Sequence, residues 1–127
     1  MAFKISGTTI VNDSRGIIGY AETLNNLGNT GANPNIDLSN GNFVVATLNQ
    51  NATFTFSNPP AGAWSFTLFL TNDATPSRVI AWPASVVWPS GTTPARTTTA
   101  SKTDVYTFFT VNGGTTWYAN IAQYNYS

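Results

Sequence analysis

From Trp64 to Thr71 the chain alternates. Trp64, Phe66, Leu68 and Leu70 fall on one parity, and Ser65, Thr67, Phe69 and Thr71 on the other. A period of two sends successive side chains to opposite faces of an extended strand, whereas a helix would scatter the same residues around its axis. The pattern recurs. Phe54 and Phe56 alternate with Thr53, Thr55 and Ser57, and residues 42–48 are apolar on both parities, as in a central strand. Further strands are expected over 78–82, 86–88, 103–111 and 115–124. No stretch sustains a 3.6-residue period, and a single helical turn around 21–27 has weak support.

The turn residues divide these runs. Asn112-Gly113-Gly114 predicts a hairpin between the last two strands, because Asn and Gly accept positive φ cheaply. Asn58-Pro59-Pro60-Ala61-Gly62 predicts a turn ahead of Trp64. Trp82-Pro83 and Trp88-Pro89 bracket a segment that reads as an edge strand or corner, since proline cannot donate to a ladder. Many short strands at roughly ten-residue spacing predict an all-β fold, an antiparallel β-sandwich of jelly-roll-like character with hairpin connections dominating. Residues 1–35, poor in aromatics and rich in turn formers, are expected to form an extended N-terminal arm of one or two strands. Residues 36–127, which hold most of the Phe, Trp and Tyr, form the head.

Composition removes whole classes of function. The 127 residues hold five basic and five acidic side chains, and the polar share comes from 20 Thr, 15 Asn and 10 Ser. No basic excess is present to displace counterions from nucleic acid, and no apolar run approaches the ~20 residues that span a bilayer. With neither Cys nor His, disulfides, thiol nucleophiles, Ser-His catalysis and the common zinc ligand sets are excluded. Met1-Ala2-Phe3-Lys4 lacks the charged and apolar regions of a secretory signal, so synthesis in a reducing cytosol is expected. A net charge of zero favours association, and the chain reads as one that works within an assembly.

Little catalytic chemistry remains. Glycoside hydrolysis needs two carboxylates across a cleft. Asp13, Glu22, Asp37, Asp73 and Asp104 are scattered instead among turn and strand-edge residues, where Asp caps turns. No catalytic residue, metal site or cofactor is expected. Most aromatics read as core or subunit interface. Trp88, Trp117 and Tyr118 border Pro or turn residues and are the candidates for stacking on a glycan. Thr97-Thr98-Thr99 reads as a solvated strand or loop.

Several runs carry a family resemblance. They are Ile36-Asp37-Leu38-Ser39 to Asn42-Phe43, Thr53-Phe54-Thr55-Phe56-Ser57-Asn58-Pro59-Pro60, and Val79-Ile80-Ala81-Trp82-Pro83 followed by Trp88-Pro89-Ser90-Gly91-Thr92-Thr93-Pro94. Thr97-Thr98-Thr99-Ala100, Lys102-Thr103-Asp104-Val105-Tyr106-Thr107-Phe108 and Gly113-Gly114-Thr115-Thr116-Trp117-Tyr118 complete the order. Over roughly residues 36–120 the chain resembles the terminal β module of tailed-bacteriophage tail fibres and other virion structural proteins. Ile5-Ser6-Gly7-Thr8-Thr9-Ile10 through Arg15 resembles the β lead-in of such modules. The resemblance implies a non-enzymatic virion component assembled in the host cytoplasm. With only about 35 residues ahead of the module, a small capsid decoration or knob protein, or a short fibre, is expected. It would form a homotrimer through its head and attach to capsid or tail proteins by strand addition from its arm. The alternative is a tail-fibre tip that recognises a host-surface glycan.

Overall fold

The structure, a computed structural model, describes residues 3–11, 21–75 and 77–127. The elements run in the order β1 (Phe3–Ile5), β2 (Thr8–Val11), β3 (Leu24–Asn29), β4 (Asn35–Asp37), a 3-10 turn (Leu38–Asn40), β5 (Phe43–Leu48), β6 (Ala52–Thr53) and β7 (Thr55–Ser57). They continue with β8 (Trp64–Asn72), β9 (Ile80–Ala81), β10 (Val86–Val87), a second 3-10 turn (Pro89–Gly91), β11 (Thr103–Thr110) and β12 (Trp117–Tyr126). Apart from the 3-10 turns, every element among the described residues is a strand, as the alternation predicts.

Six strands form the main sheet in the order β10-β12-β11-β8-β5-β3. A second layer lies on one face of it. Thr53 and Thr55 donate backbone N–H groups to the carbonyls of Ala32 and Pro34, while Ala52 and Phe54 donate to those of Val79 and Ala81. The continuous segment carrying β6 and β7 therefore pairs on both edges, with β4 on one side and β9 on the other, in parallel register. From β3 to β10 the chain alternates between layers: β3, then β4, back to β5, across to β6 and β7, back to β8, across to β9, and back to β10.

This winding corrects one expectation. Five of the eight strand pairings among the described residues are parallel, and in the main sheet antiparallel pairing is confined to β8, β11 and β12. The physical reason lies in the turns. Asn58-Pro59-Pro60-Ala61-Gly62 carries the chain from one layer to the other instead of folding it back beside the strand it has left. The Asn112-Gly113-Gly114 turn does close a hairpin, and β11 and β12 insert between β8 and β10.

Two further expectations change. Residues 24–29 are a strand, not a helical turn: β3 pairs in parallel with β5, and the buried Asn25 Nδ2 donates to the Asp37 carbonyl at 3.1 Å. For the same reason the division between residues 35 and 36 falls inside the head, whose main sheet begins at Leu24. In the N-terminal arm, β1 and β2 pair antiparallel. Residues 1–2 and 12–20 of the arm, and with them the Asn12-to-Arg15 end of the lead-in, lie outside the described residues.

The core sits between the layers. Phe66 and Phe108, neighbours on β8 and β11, stack with centroids 4.7 Å apart. Phe56 of the second layer stands edge-on to Phe66 at 5.1 Å, to Phe108 at 5.3 Å and to Trp117 at 5.9 Å. Trp82 caps the other half, stacked on Phe54 at 5.0 Å and tilted over Tyr106 at 5.1 Å. Such pairs contribute about 0.5–1.5 kcal/mol each beyond the area they bury. Trp64, on the same parity as the buried Phe66, Leu68 and Leu70, is itself half-buried against Phe66.

Candidate functional site

The three aromatic candidates part company. Trp117 is 1% exposed, with its ring edge-on to Phe66 and Phe56, so no sugar can reach it. That candidate is withdrawn; its position next to the turn residues concealed that it starts β12 on the inward parity. Trp88 is half-buried, and its ring stands over Trp82 at 5.7 Å and Phe108 at 6.2 Å. Tyr118, one residue on from Trp117 and therefore on the outward face, is 50% exposed. Trp88 and Tyr118 share a groove of about 430 Å³ with Val87, Pro89, Phe109 and Asn120. Its lining is mostly apolar, with Asn120 and the Tyr118 hydroxyl as polar side-chain groups.

A second groove, of about 370 Å³, lies between Arg96, Thr97, Thr98 and Thr99 on one wall and Tyr124 and Asn125 on the other. Residues 92–98 have no regular secondary structure, and side chains below hold them in place. Asp104, 3% exposed on β11, accepts the N–H of Thr97 on Oδ2 at 2.8 Å and the N–H of Asn125 on Oδ1 at 3.0 Å. One carboxylate thus ties both walls. Asn72, 4% exposed at the end of β8, donates through Nδ2 to the carbonyls of Thr97 and Thr99 at 3.0 and 2.8 Å. The Arg96 guanidinium turns inward, donating to Asn72 Oδ1 and the Thr97 carbonyl at 2.8 Å each, and to the Arg78 carbonyl. No buried side-chain polar atom among the described residues lacks a partner.

Asp13 lies outside the described residues, and Glu22, Asp37 and Asp73 are engaged in hydrogen bonds or an ion pair. Asp37 Oδ1 accepts from Ser39 N and Oγ at 3.0 and 2.6 Å and from Asn58 Nδ2 at 3.0 Å, which holds its carboxyl below the usual range. Asp73 accepts from the Thr75 N–H and pairs with Arg78 at 2.8 Å, and the Arg78 hydrogen bond lowers its pKa. Glu22 accepts from Asn42. This is the turn chemistry expected of Asp37 and Asp73. Asp104 departs from it, because its place on the inward parity of β11 gives it a buried, load-sharing role that turn statistics do not suggest.

The outer face of the main sheet is the third feature. Adjacent strands align Val87, Tyr118, Phe109 and Ser65 in one row. A second row runs Asn120, Thr107, Thr67, Phe43 and Leu24; a third Gln123, Val105, Phe69, Val45 and Asn26. A fourth holds Thr103, Thr71 and Thr47, where the Thr71 and Thr103 hydroxyls meet at 2.8 Å. The six strands contain a single charged residue, Asp104, and it points inward. The outer face therefore carries none.

Among the described residues no group of three or more His, Cys, Asp and Glu side chains comes together, and no helix is long and apolar enough to cross a membrane. Compared with known proteins, the chain matches no family model, no curated protein and no solved structure.

Proposed function

We propose that this chain is a non-enzymatic structural component of a bacteriophage-type virion, a small capsid decoration, knob or short-fibre protein. Copies of it associate through the outer face of the six-stranded sheet, as a homotrimer. The residues ahead of β3 reach a capsid or tail partner by strand addition. The observation that carries the reading is the uncharged outer face, with Phe43, Phe69, Phe109 and Tyr118 set among threonines. A face bearing charges of one sign would repel its own copy. Faces bearing none, set around a threefold axis, meet those of neighbouring copies without that penalty and without desolvating ions. Six strands about 4.8 Å apart give a face of roughly 500 Å² in projection, approaching the ~800 Å² per partner of a standard interface once side-chain relief is counted. A non-enzymatic role is supported by the engagement of Asp37, Asp73 and Asp104 in turns, an ion pair and a backbone clamp.

The test is solution mass. Light scattering should give a trimer of the 13.6 kDa chain, and a Thr107→Lys, Phe109→Glu double variant should fall to monomer with unchanged circular dichroism. A parent that is monomeric at micromolar concentration overturns the assembly reading. A reconstruction of the intact particle that lacks this chain overturns the virion reading.

A second reading, a saccharide-recognising tip of a fibre, is favoured by one observation: the polar groove between Thr97–Thr99 and Tyr124, whose walls are held in place from beneath.

A further inference from the structure

We infer that the groove between Arg96–Thr99 and Tyr124–Asn125 binds a neutral saccharide; this rests on the second reading above and assigns it a site. Three features point to that class of ligand. The Tyr124 ring, 63% exposed at the rim, offers an aromatic surface of the kind that packs against the C–H face of a sugar. The Thr98 and Thr99 hydroxyls and the Asn125 amide, all on exposed residues, supply donors and acceptors that match sugar hydroxyls. The groove's one charged side chain, the half-buried Arg96, spends both Nη1 donors on Asn72 Oδ1 and the Thr97 carbonyl and an Nη2 donor on the Arg78 carbonyl. Three of its five N–H donors are thus spent on the protein itself, which leaves most of the recognition to the hydroxyls and the amide and suits a neutral ligand.

Rigidity supplies the rest. A segment without secondary structure ordinarily loses conformational freedom when it closes on a ligand. Here the Thr97 N–H, the Thr97 and Thr99 carbonyls and the Asn125 N–H are already fixed by two side chains, Asp104 and Asn72. Asn125 is held at φ 67°, a left-handed conformation that Asn tolerates better than most residues. Burying a carboxylate and an amide to hold a surface loop is expensive unless the loop's shape matters. The volume of about 370 Å³ falls in the range of small-ligand sites. The Tyr118 groove, by contrast, is apolar and continuous with the outer sheet face, and suits a protein surface.

The experiment uses the full chain, an array of neutral oligosaccharides of glucose, galactose, mannose, rhamnose and N-acetylglucosamine, and sialylated and sulfated glycans as acidic controls. Hits are then titrated into ¹⁵N-labelled protein. Binding is expected among the neutral probes, with amide shifts gathered on Thr97, Thr98, Thr99, Tyr124 and Asn125. Tyr124→Ala should weaken it by at least about tenfold while the melting curve is unchanged, and Tyr124→Phe should retain it. Binding confined to acidic probes, or unaffected by Tyr124→Ala, overturns the inference. Shifts gathered on Val87, Phe109 and Tyr118 also overturn it but leave saccharide recognition standing at the other groove. No binding of any probe at about 10 mM removes the site and the second reading together.

Discussion

Phe66 and Phe108 lie face to face across the β8–β11 ladder, with ring planes 13° apart. Each also receives the edge of Phe56 from the second layer, so this pair is where the two layers meet. Phe108→Ala should cost about 3–5 kcal/mol, at the upper end for a core truncation, because the rigid rings around it cannot collapse into the space. Urea denaturation measures it directly. A loss under about 1 kcal/mol would mean the layers are held elsewhere.

Two glycines with similar backbone angles should respond unequally to alanine. Gly114 has φ +84°, and a Cβ there would lie 2.9 Å from two ring carbons of Pro59. Gly28 has φ +70° with open space around it. Gly28→Ala should cost about 1–2 kcal/mol from backbone strain alone, and Gly114→Ala roughly 2–4 kcal/mol from strain and overlap together. Equal losses in thermal denaturation would show that the Pro59 contact yields.

The Asp104 carboxylate holds two distant backbone segments, and Asn has a single oxygen to replace its two. Asp104→Asn should destabilise the chain by about 1–3 kcal/mol. The amides of Thr97 and Asn125 should also exchange faster, which hydrogen exchange read residue by residue will show. Unchanged protection at both would separate Asp104 from the groove it underlies.

Burial, and after it the negative Asp104, push the Tyr106 phenol well above its ordinary value of 10.0. The folded phenol stays protonated at pH values where the unfolded one ionises. Its contribution to stability is thus complete below about pH 10 and is lost as the pH rises beyond that toward the folded value. Denaturation midpoints should hold steady to about pH 9.5 and then fall, by up to about 1.4 kcal/mol per pH unit from this group. Tyr106→Phe keeps the ring and should flatten that fall. Parallel profiles for parent and variant would assign the alkaline loss to other groups.

Much of the fold is legible in the sequence because alternation reports burial directly. The Trp64–Leu70 parity, the doubly apolar Val44–Ala46 region and the Asn112-Gly113-Gly114 turn each appear where expected. Strand direction is not legible, because a Pro- and Gly-rich corner between layers uses the same residues as a hairpin turn. The strand at Leu24–Asn29 is hidden for another reason: Asn25, Asn26 and Gly28 have low strand propensity, and pairing with β5 imposes the conformation. At the surfaces, parity separates Tyr118 from its buried neighbour Trp117, yet the adjacent turn residues mask it. The groove beside Tyr124 depends on Asn72 reaching the loop from 25 residues away and on Asp104 tying that loop to Asn125, 21 residues on, which no local pattern records.

The insertion of β11 and β12 between β8 and β10 sets a timetable for folding. A polypeptide emerging amino end first can lay β3, β5 and β8 side by side as each appears. Val86 and Val87 then have nowhere to dock in that sheet until Trp117 and Tyr118 have been synthesised, so this stretch must wait, unzipped, for a later part of the chain to arrive.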